Sequence, residues 1–295
     1  FRSDELKEFK DVYAEITGFN KKDRNSFMIT MLGDKTQAIA LRGYLVRRKM
    51  INLARVPLLL LFFCTLWKNK NSRSFTSSKT KLYVAIVQYV LDHNEGKCSP
   101  TYFRKIEDFK EVLAEIGKVA LECLLKTDHV FEYDQLSAAI LCEENRIIGL
   151  FQVSEYSENL RPAGMVSFIH KSIQEFLAAW YITNQCVTQG NLGGIKDRAR
   201  TWKKCRSFEN VFKFICGLSN DAAVKVFEHL TSVRISDPIL NSDFKTMPVK
   251  EITTNVTRYV TAMQDNFLFF AYLLFCEVES KTEVLRHYLD CIQSS

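Results

Sequence analysis

The 295-residue sequence predicts a mainly α protein: a helical bundle, a winged-helix domain with a small β-hairpin, and a second helical bundle. Three observations predict it. Apolar residues recur at helical spacing along most of the chain. Only 11 Gly and 5 Pro interrupt it, which leaves room for long helices. Two short stretches rich in branched residues, Ile147 to Val153 and Met165 to Ile169, flank a polar loop holding Pro162 and Gly164, the pattern of a hairpin. The length exceeds the roughly 100–200 residues of one domain. The Ser- and Lys-rich stretch Asn69 to Lys79 marks a boundary, so the expected domains are 1–75, 76–190 and 191–295.

Each element follows from a local pattern. Ser3 suits a helix cap, with Asp4 and Glu5 in the first turn and Leu6, Phe9, Val12, Tyr13 and Ile16 as the stripe; Gly18 ends it. Asp34 with Gln37 is a capping-box variant that opens a helix through Ala38, Leu41 and Leu45. Pro57 stands at the entrance of the apolar run Val56 to Trp67. That run is shorter than the roughly 20 residues that span a bilayer and is followed by Lys68 and Lys70, so a buried helix is expected rather than a membrane span.

In the middle domain, Leu82, Tyr83, Ile86, Val87, Val90 and Leu91 form one helical face, and Phe109, Val112, Leu113, Ile116, Val119, Ala120, Cys123 and Leu124 a second. Asp134 is expected to cap a short third helix before the hairpin. After it, Ser172-x-x-Glu175 reads as a capping box, which starts a helix at Ser172 and buries Ile173, Phe176, Leu177, Trp180 and Tyr181. In the last domain Gly217 is expected to close one helix, Asn220 to cap the next, and Phe267 to Val278 to form an apolar helix.

Composition narrows the class. Hydrophobic residues at 47% and charged residues at 25% are those of a globular protein without disorder bias. Nine cysteines are scattered without CxxC pairs, which suits reduced, buried thiols in the cytoplasm better than disulfides or a zinc site; the sequon at Asn255 is then inert. The net charge of +6 is concentrated between Lys196 and Arg206, where the only acid is Asp197. Such a cluster can bind nucleic acid or acidic lipid, but with no aromatic or Gly-rich pattern beside it the reading is a solvated linker and first helical turn. Phe1 opens the chain with nothing resembling a leader, tail or tag at either end, and an internal segment of a longer protein is expected.

Motifs for catalysis are missing. No G-x-x-x-x-G-K-[ST] occurs, Gly33-Asp34-Lys35-Thr36 is too short to cradle phosphates, and no G-x-S-x-G or H-E-x-x-H is present. The chain is therefore not expected to be catalytic alone or to hold a metal. The residue of interest is His170, two positions before the expected cap. A helix N-terminus carries partial positive charge, and a histidine beside it can add a donor toward a bound anion such as phosphate. A satisfied structural histidine at a strand-to-helix junction is the other reading, and spacing alone leaves both open.

The run Phe-x-His-x-Ser-x-Gln-Glu-Phe-Leu-Ala-Ala-x-Tyr, Phe168 to Tyr181, resembles the winged-helix signature of NLR proteins, the NACHT-containing innate immune receptors. Glu15-Ile16-x-Gly18-Phe19 with Asp23, and Val56-Pro57-Leu58 leading to Cys64, resemble motifs of that family's first helical domain. Ile148 to Val153 resembles its hairpin and Val211 to Leu218 its second helical domain, in the family's order. The resemblance implies the C-terminal half of a NACHT module, in which His170 contacts the β-phosphate of ADP and Pro57 packs on the adenine. Leu61 stands where some members carry an aromatic.

It further implies that ADP, or ATP with Mg, is bound mainly by a P-loop domain upstream of these residues, and that ADP holds a closed, autoinhibited form. Exchange for ATP would open it for self-oligomerisation. Leucine-rich repeats downstream and a death-fold adaptor or effector are the implied partners, in the cytoplasm and without a membrane. The sequence admits two other readings. A nucleic-acid-binding winged helix would need basic or amide side chains on its recognition helix, and Asp134 to Cys142 offers Gln135 but no basic residue, so nucleic acid is not expected. A purely scaffolding helical module is the other.

Overall fold

A computed structural model describes residues 18–69, 78–95, 109–128, 130–132, 149–155, 164–236, 270, 273–282 and 284. The expectations placed on Ser3, Asp134, Asn255 and the recognition helix lie outside the described residues. The chain separates into two compact units, divided after Ser77.

The first unit is helical. Helix α1 (Lys21–Leu32) opens on a capping box, Asn20 accepting from the backbone N–H groups of Lys22 and Asp23 while the Asp23 carboxylate accepts from the Asn20 N–H. It ends at Gly33 in the left-handed region. Only Met28 is buried on it, so its ends rather than a stripe define it, which is why apolar periodicity did not reveal it. Helix α2 (Lys35–Arg47) is capped by Asp34, which accepts from the Thr36 N–H. Gln37 does not complete the expected box; its Oε1 accepts from the Trp67 indole at 2.9 Å.

A short 3-10 turn (Leu53–Arg55) leads into α3 (Pro57–Asn69), which buries Leu59, Leu60, Phe62, Phe63, Cys64, Leu66 and Trp67, as the apolar run predicts. Before α1, Phe19 N–H donates to the Arg55 carbonyl at 2.7 Å. Gly18 permits that approach, because its φ is +75° and a Cβ there would sit 2.5 Å from the same carbonyl oxygen.

The second unit is built around one helix. Helices α4 (Lys79–Glu95) and α5 (Lys110–Lys126) precede strands β1 (Val130–Glu132), β2 (Phe151–Glu155) and β3 (Gly164–Phe168). The hairpin β2–β3 is antiparallel as expected, and β1 adds a third strand on the other side of β3, giving the order β1-β3-β2. At three residues β1 is too short to announce itself by alternation. Phe131 holds it, its ring 5.5 Å from that of Phe168 and 5.9 Å from that of Phe151.

Helix α6 (Lys171–Gln189) then runs through the core with Phe176, Leu177, Ala178 and Ala179 wholly buried. It packs most extensively on α5. Gly117 makes that approach possible: a Cβ there would lie 2.5 Å from the Leu177 carbonyl oxygen and 2.8 Å from Tyr181 Cβ. Helices α7 (Gly194–Arg198), α8 (Trp202–Ser207), α9 (Glu209–Leu218) and α10 (Asn220–Ser236) follow. Gly217 lies inside α9 instead of ending it. The cap of α10 is Ser219, which accepts from the Ala222 N–H, while Asn220 accepts from the Ser280 N–H. Of the expected apolar helix, Phe270 and 273–275 are described and helical.

The basic segment is more ordered than a solvated linker. Ile195, Ala199 and Cys205 are fully buried, and the Ala199 carbonyl accepts from the Cys205 thiol at 3.1 Å and from His229 Nε2 at 3.0 Å. Its cations remain at the surface, apart from half-buried Arg206, whose guanidinium lies over Trp202 and Phe270. Among the described residues five cysteines are buried free thiols and Cys276 is exposed. No helix among them is long and apolar enough to cross a membrane, and no cluster could hold a metal ion.

Candidate functional site

The helix carrying the signature begins one residue earlier than its pattern implied, and its cap is His170 rather than Ser172. His170 has extended backbone, and its Nδ1 accepts from the Ser172 N–H at 3.1 Å. Ser172 Oγ lies 2.6 Å from the same nitrogen, and the Tyr83 hydroxyl is 2.7 Å from Ser172 Oγ. A backbone N–H can only donate, so Nδ1 is an unprotonated acceptor. The Ser172 hydroxyl therefore donates to Nδ1, Tyr83 donates to Ser172, and the ring proton of neutral His170 sits on Nε2.

Electrostatics keep it neutral. Burial lowers the His170 pKa, and an imidazolium would lose the Nδ1 bonds and meet the positive end of α6. Burial pushes the Tyr83 hydroxyl up to about 12, so it remains a donor. Among the described residues Nε2–H has no hydrogen-bond partner. The half-buried ring is thus a helix cap on one side and an available neutral donor on the other.

The other polar residues of the signature hold this arrangement in place. Gln174, wholly buried, donates through Nε2 to the Asp128 carbonyl at 3.2 Å, in the turn between α5 and β1. Glu175 does not return to the helix start as a capping box requires. Its carboxylate accepts from Asn210 Nδ2 at 2.9 Å, and the Asn210 oxygen accepts from Lys79 Nζ at 2.8 Å. Lys79 also sits 5.0 Å over the Phe214 ring. Burial and then Lys213 lower the Lys79 pKa, while Glu175, Glu277 and Glu209 oppose them. The first turn of α6 is therefore tied to α4, to the α5–β1 turn and to α9. A buried hydroxyl and carboxylate took partners from other helices, which no spacing within one helix reports. Tyr83 in particular read only as one member of an apolar stripe.

Pro57 belongs to the first unit and opens its apolar helix. It is the first residue of α3, preceded by Val56 in extended conformation. Pro57 is exposed, and Leu61, one turn later, is 36% exposed, while most of the helix is buried. The Phe19–Arg55 hydrogen bond brings the Gly18-Phe19 motif beside this helix start. The structure thus joins the two first-domain motifs in one place and gives His170 a separate, polar setting in the other unit.

The fold so described is a helical bundle with a three-stranded, winged-helix-like domain whose central helix is capped by a histidine. No family model matches the chain. It is similar to the NLR family CARD domain-containing protein 4 of Bos taurus, with 22% identity over 239 residues, which is 77% of this chain and 22% of that protein. The chain thus spans about a fifth of that relative's length, and the similarity points to an NLR-like relation.

Proposed function

We propose that this chain is the regulatory part of an NLR-type NACHT ATPase, sensing nucleotide that a P-loop domain of the same protein binds. His170 contacts the phosphate of bound ADP through Nε2–H and holds the autoinhibited, closed form; Pro57 lies on the adenine. Exchange for ATP removes that restraint and frees the protein to self-oligomerise in the cytoplasm, where it meets a death-fold adaptor. Leucine-rich repeats complete the receptor.

The observation that carries the reading is the fixed tautomer: Ser172, its hydroxyl oriented by Tyr83, occupies Nδ1 and leaves a neutral Nε2–H donor at the head of a long helix. A neutral donor suits a phosphate that must be released, since a buried cation would hold it more tightly. The exposed Pro57–Leu61 edge suits a flat apolar ring. The nucleotide, when bound, supplies the phosphate whose presence or loss is read; every other part of the switch is protein.

The test is His170→Leu in the full-length protein, read by ADP retained after purification and by basal oligomerisation. Retention is expected to fall and oligomer to rise. A shift between mostly closed and mostly open populations needs about 5 kcal/mol of differential binding, of which one hydrogen bond supplies only a part. Unchanged retention together with unchanged oligomerisation would discard the reading.

A further inference from the structure

A cleft in the second unit joins two features that the nucleotide reading leaves unused: part of the basic cluster and the lysine after His170. It has a volume of about 480 Å³ and is lined by Lys126, Lys171, Arg198 and Lys204, which come from α5, α6, α7 and α8. Leu125 and Phe208 supply apolar lining, and among the described residues Glu175 is the only carboxylate in the lining.

Among the described residues the cleft cations lack acidic partners. Of the basic cluster, Arg200 pairs with Asp197 and Arg206 approaches Glu209, but among the described residues none of the four cleft cations has a carboxylate within ion-pair distance. Glu175 is engaged by Asn210. Lys171 is the first residue of α6, a helix with no acid in its first turn, so its charge stands at the positive helix end. Four like charges from four helices line one cleft, and an anion there would be attracted by all of them.

We propose that this cleft binds a multiply phosphorylated small molecule, its phosphates on the four cations and its carbon skeleton against Phe208 and Leu125. The volume falls within the roughly 300–1,000 Å³ of small-molecule sites. An arginine fork with three lysine point charges matches several phosphate groups better than one carboxylate. Because four helices contribute, occupation fastens α7 and α8 to the start of α6.

The experiment measures tripolyphosphate binding to the whole protein by calorimetry at low ionic strength. The Arg198→Ala, Lys204→Ala double variant is expected to bind about tenfold more weakly or worse, with Lys126→Ala following it, whereas Lys118→Ala, exposed on α5 outside the cleft, stays within about twofold. Thermal unfolding of each variant verifies that the fold is kept; the changed side chains are exposed, and Lys126→Ala serves if the double variant does not fold. Vesicles containing phosphatidylinositol bisphosphate separate the sources. Vesicle binding that tripolyphosphate displaces assigns a lipid headgroup, and tripolyphosphate binding without vesicle binding assigns a soluble ligand; either supports the cleft when the double variant weakens it, and binding unchanged in the double variant overturns it. Absence of tripolyphosphate binding, or an equal loss in Lys118→Ala, overturns it. None of the variants alters His170, so this outcome is independent of the nucleotide reading.

Discussion

The two helices that carry the candidate residues, α3 and α6, are anchored in different ways. Helix α3 buries seven residues, all apolar, and its first turn is set by a proline with an exposed leucine one turn on. Helix α6 buries eleven, among them Ser172, Gln174, Glu175 and Thr183, and hydrogen bonds tie its first turn to three other elements. The difference matches what each start presents. A flat apolar edge needs only a surface held by close packing behind it. A single N–H donor must be held in tautomer and direction; the Ser172 N–H sets the tautomer within α6, and polar contacts from α4, the α5–β1 turn and α9 hold that first turn in place.

Apolar truncation probes what the helices share. Phe176→Ala is expected to cost about 4 kcal/mol and Leu60→Ala about 3 kcal/mol in urea unfolding, since both side chains are fully buried and leave cavities. If α6 tolerated the loss of Phe176, its polar ties would be its main support, and the contrast with α3 would need revision.

Tyr83→Phe probes what they do not share. Stability is expected to fall by about 1 kcal/mol, the loss of one buried hydrogen bond. Imidazole ¹⁵N shifts should report a single Nε2–H tautomer for His170 in the parent and a tautomer mixture in the variant. A single, unchanged tautomer would show that the Ser172 backbone N–H suffices alone.

Leu61→Ala is expected to change stability by less than about 0.5 kcal/mol, in contrast to its buried neighbour Leu60. A loss as large as at Leu60 would mean that this edge is packed rather than presented.

The smallest effect is of pH. Burial lowers the pKa of both His170 and His229 below the unfolded value of 6.5, so the unfolded chain binds more protons near that pH. Stability is therefore expected to fall as pH drops through about 6.5 and to be flat above it, in urea unfolding at a series of pH values. At α6 the loss comes from the cap, because protonated His170 cannot accept at Nδ1; α3 holds no titrating group in its first turn. A flat profile would remove the electrostatic half of the contrast.

Much of the architecture could be read directly. The apolar run Val56 to Trp67 specified α3 and its proline start, because a helix buried on most sides needs no partner-specific pattern. The faces at Leu82 to Leu91 and Phe109 to Leu124 specified α4 and α5, and two branched stretches specified the hairpin. His170 and Pro57 were both marked by position at a helix start. Helix α1 was missed although Asn20, Asp23 and Gly33 signal its ends, because it has almost no apolar face.

The remainder was decided in three dimensions. Ser172 and Glu175 have the spacing of a capping box, yet burial against α4 and α9 offered them Tyr83 and Asn210, and a hydrogen bond made in the core outweighs one that water can replace. The cap then fell to His170, and with it the tautomer. β1 exists because Phe131 found Phe151 and Phe168, and the cleft exists because four helices bring together cations far apart along the chain. Sequence by itself determined which segments are helical or extended and which faces are apolar, since those follow from periodicity within each segment. Tertiary structure alone determined how Ser172, Gln174 and Glu175 at the start of α6 are satisfied, since their partners Tyr83, Asp128 and Asn210 lie 35 to 89 residues away.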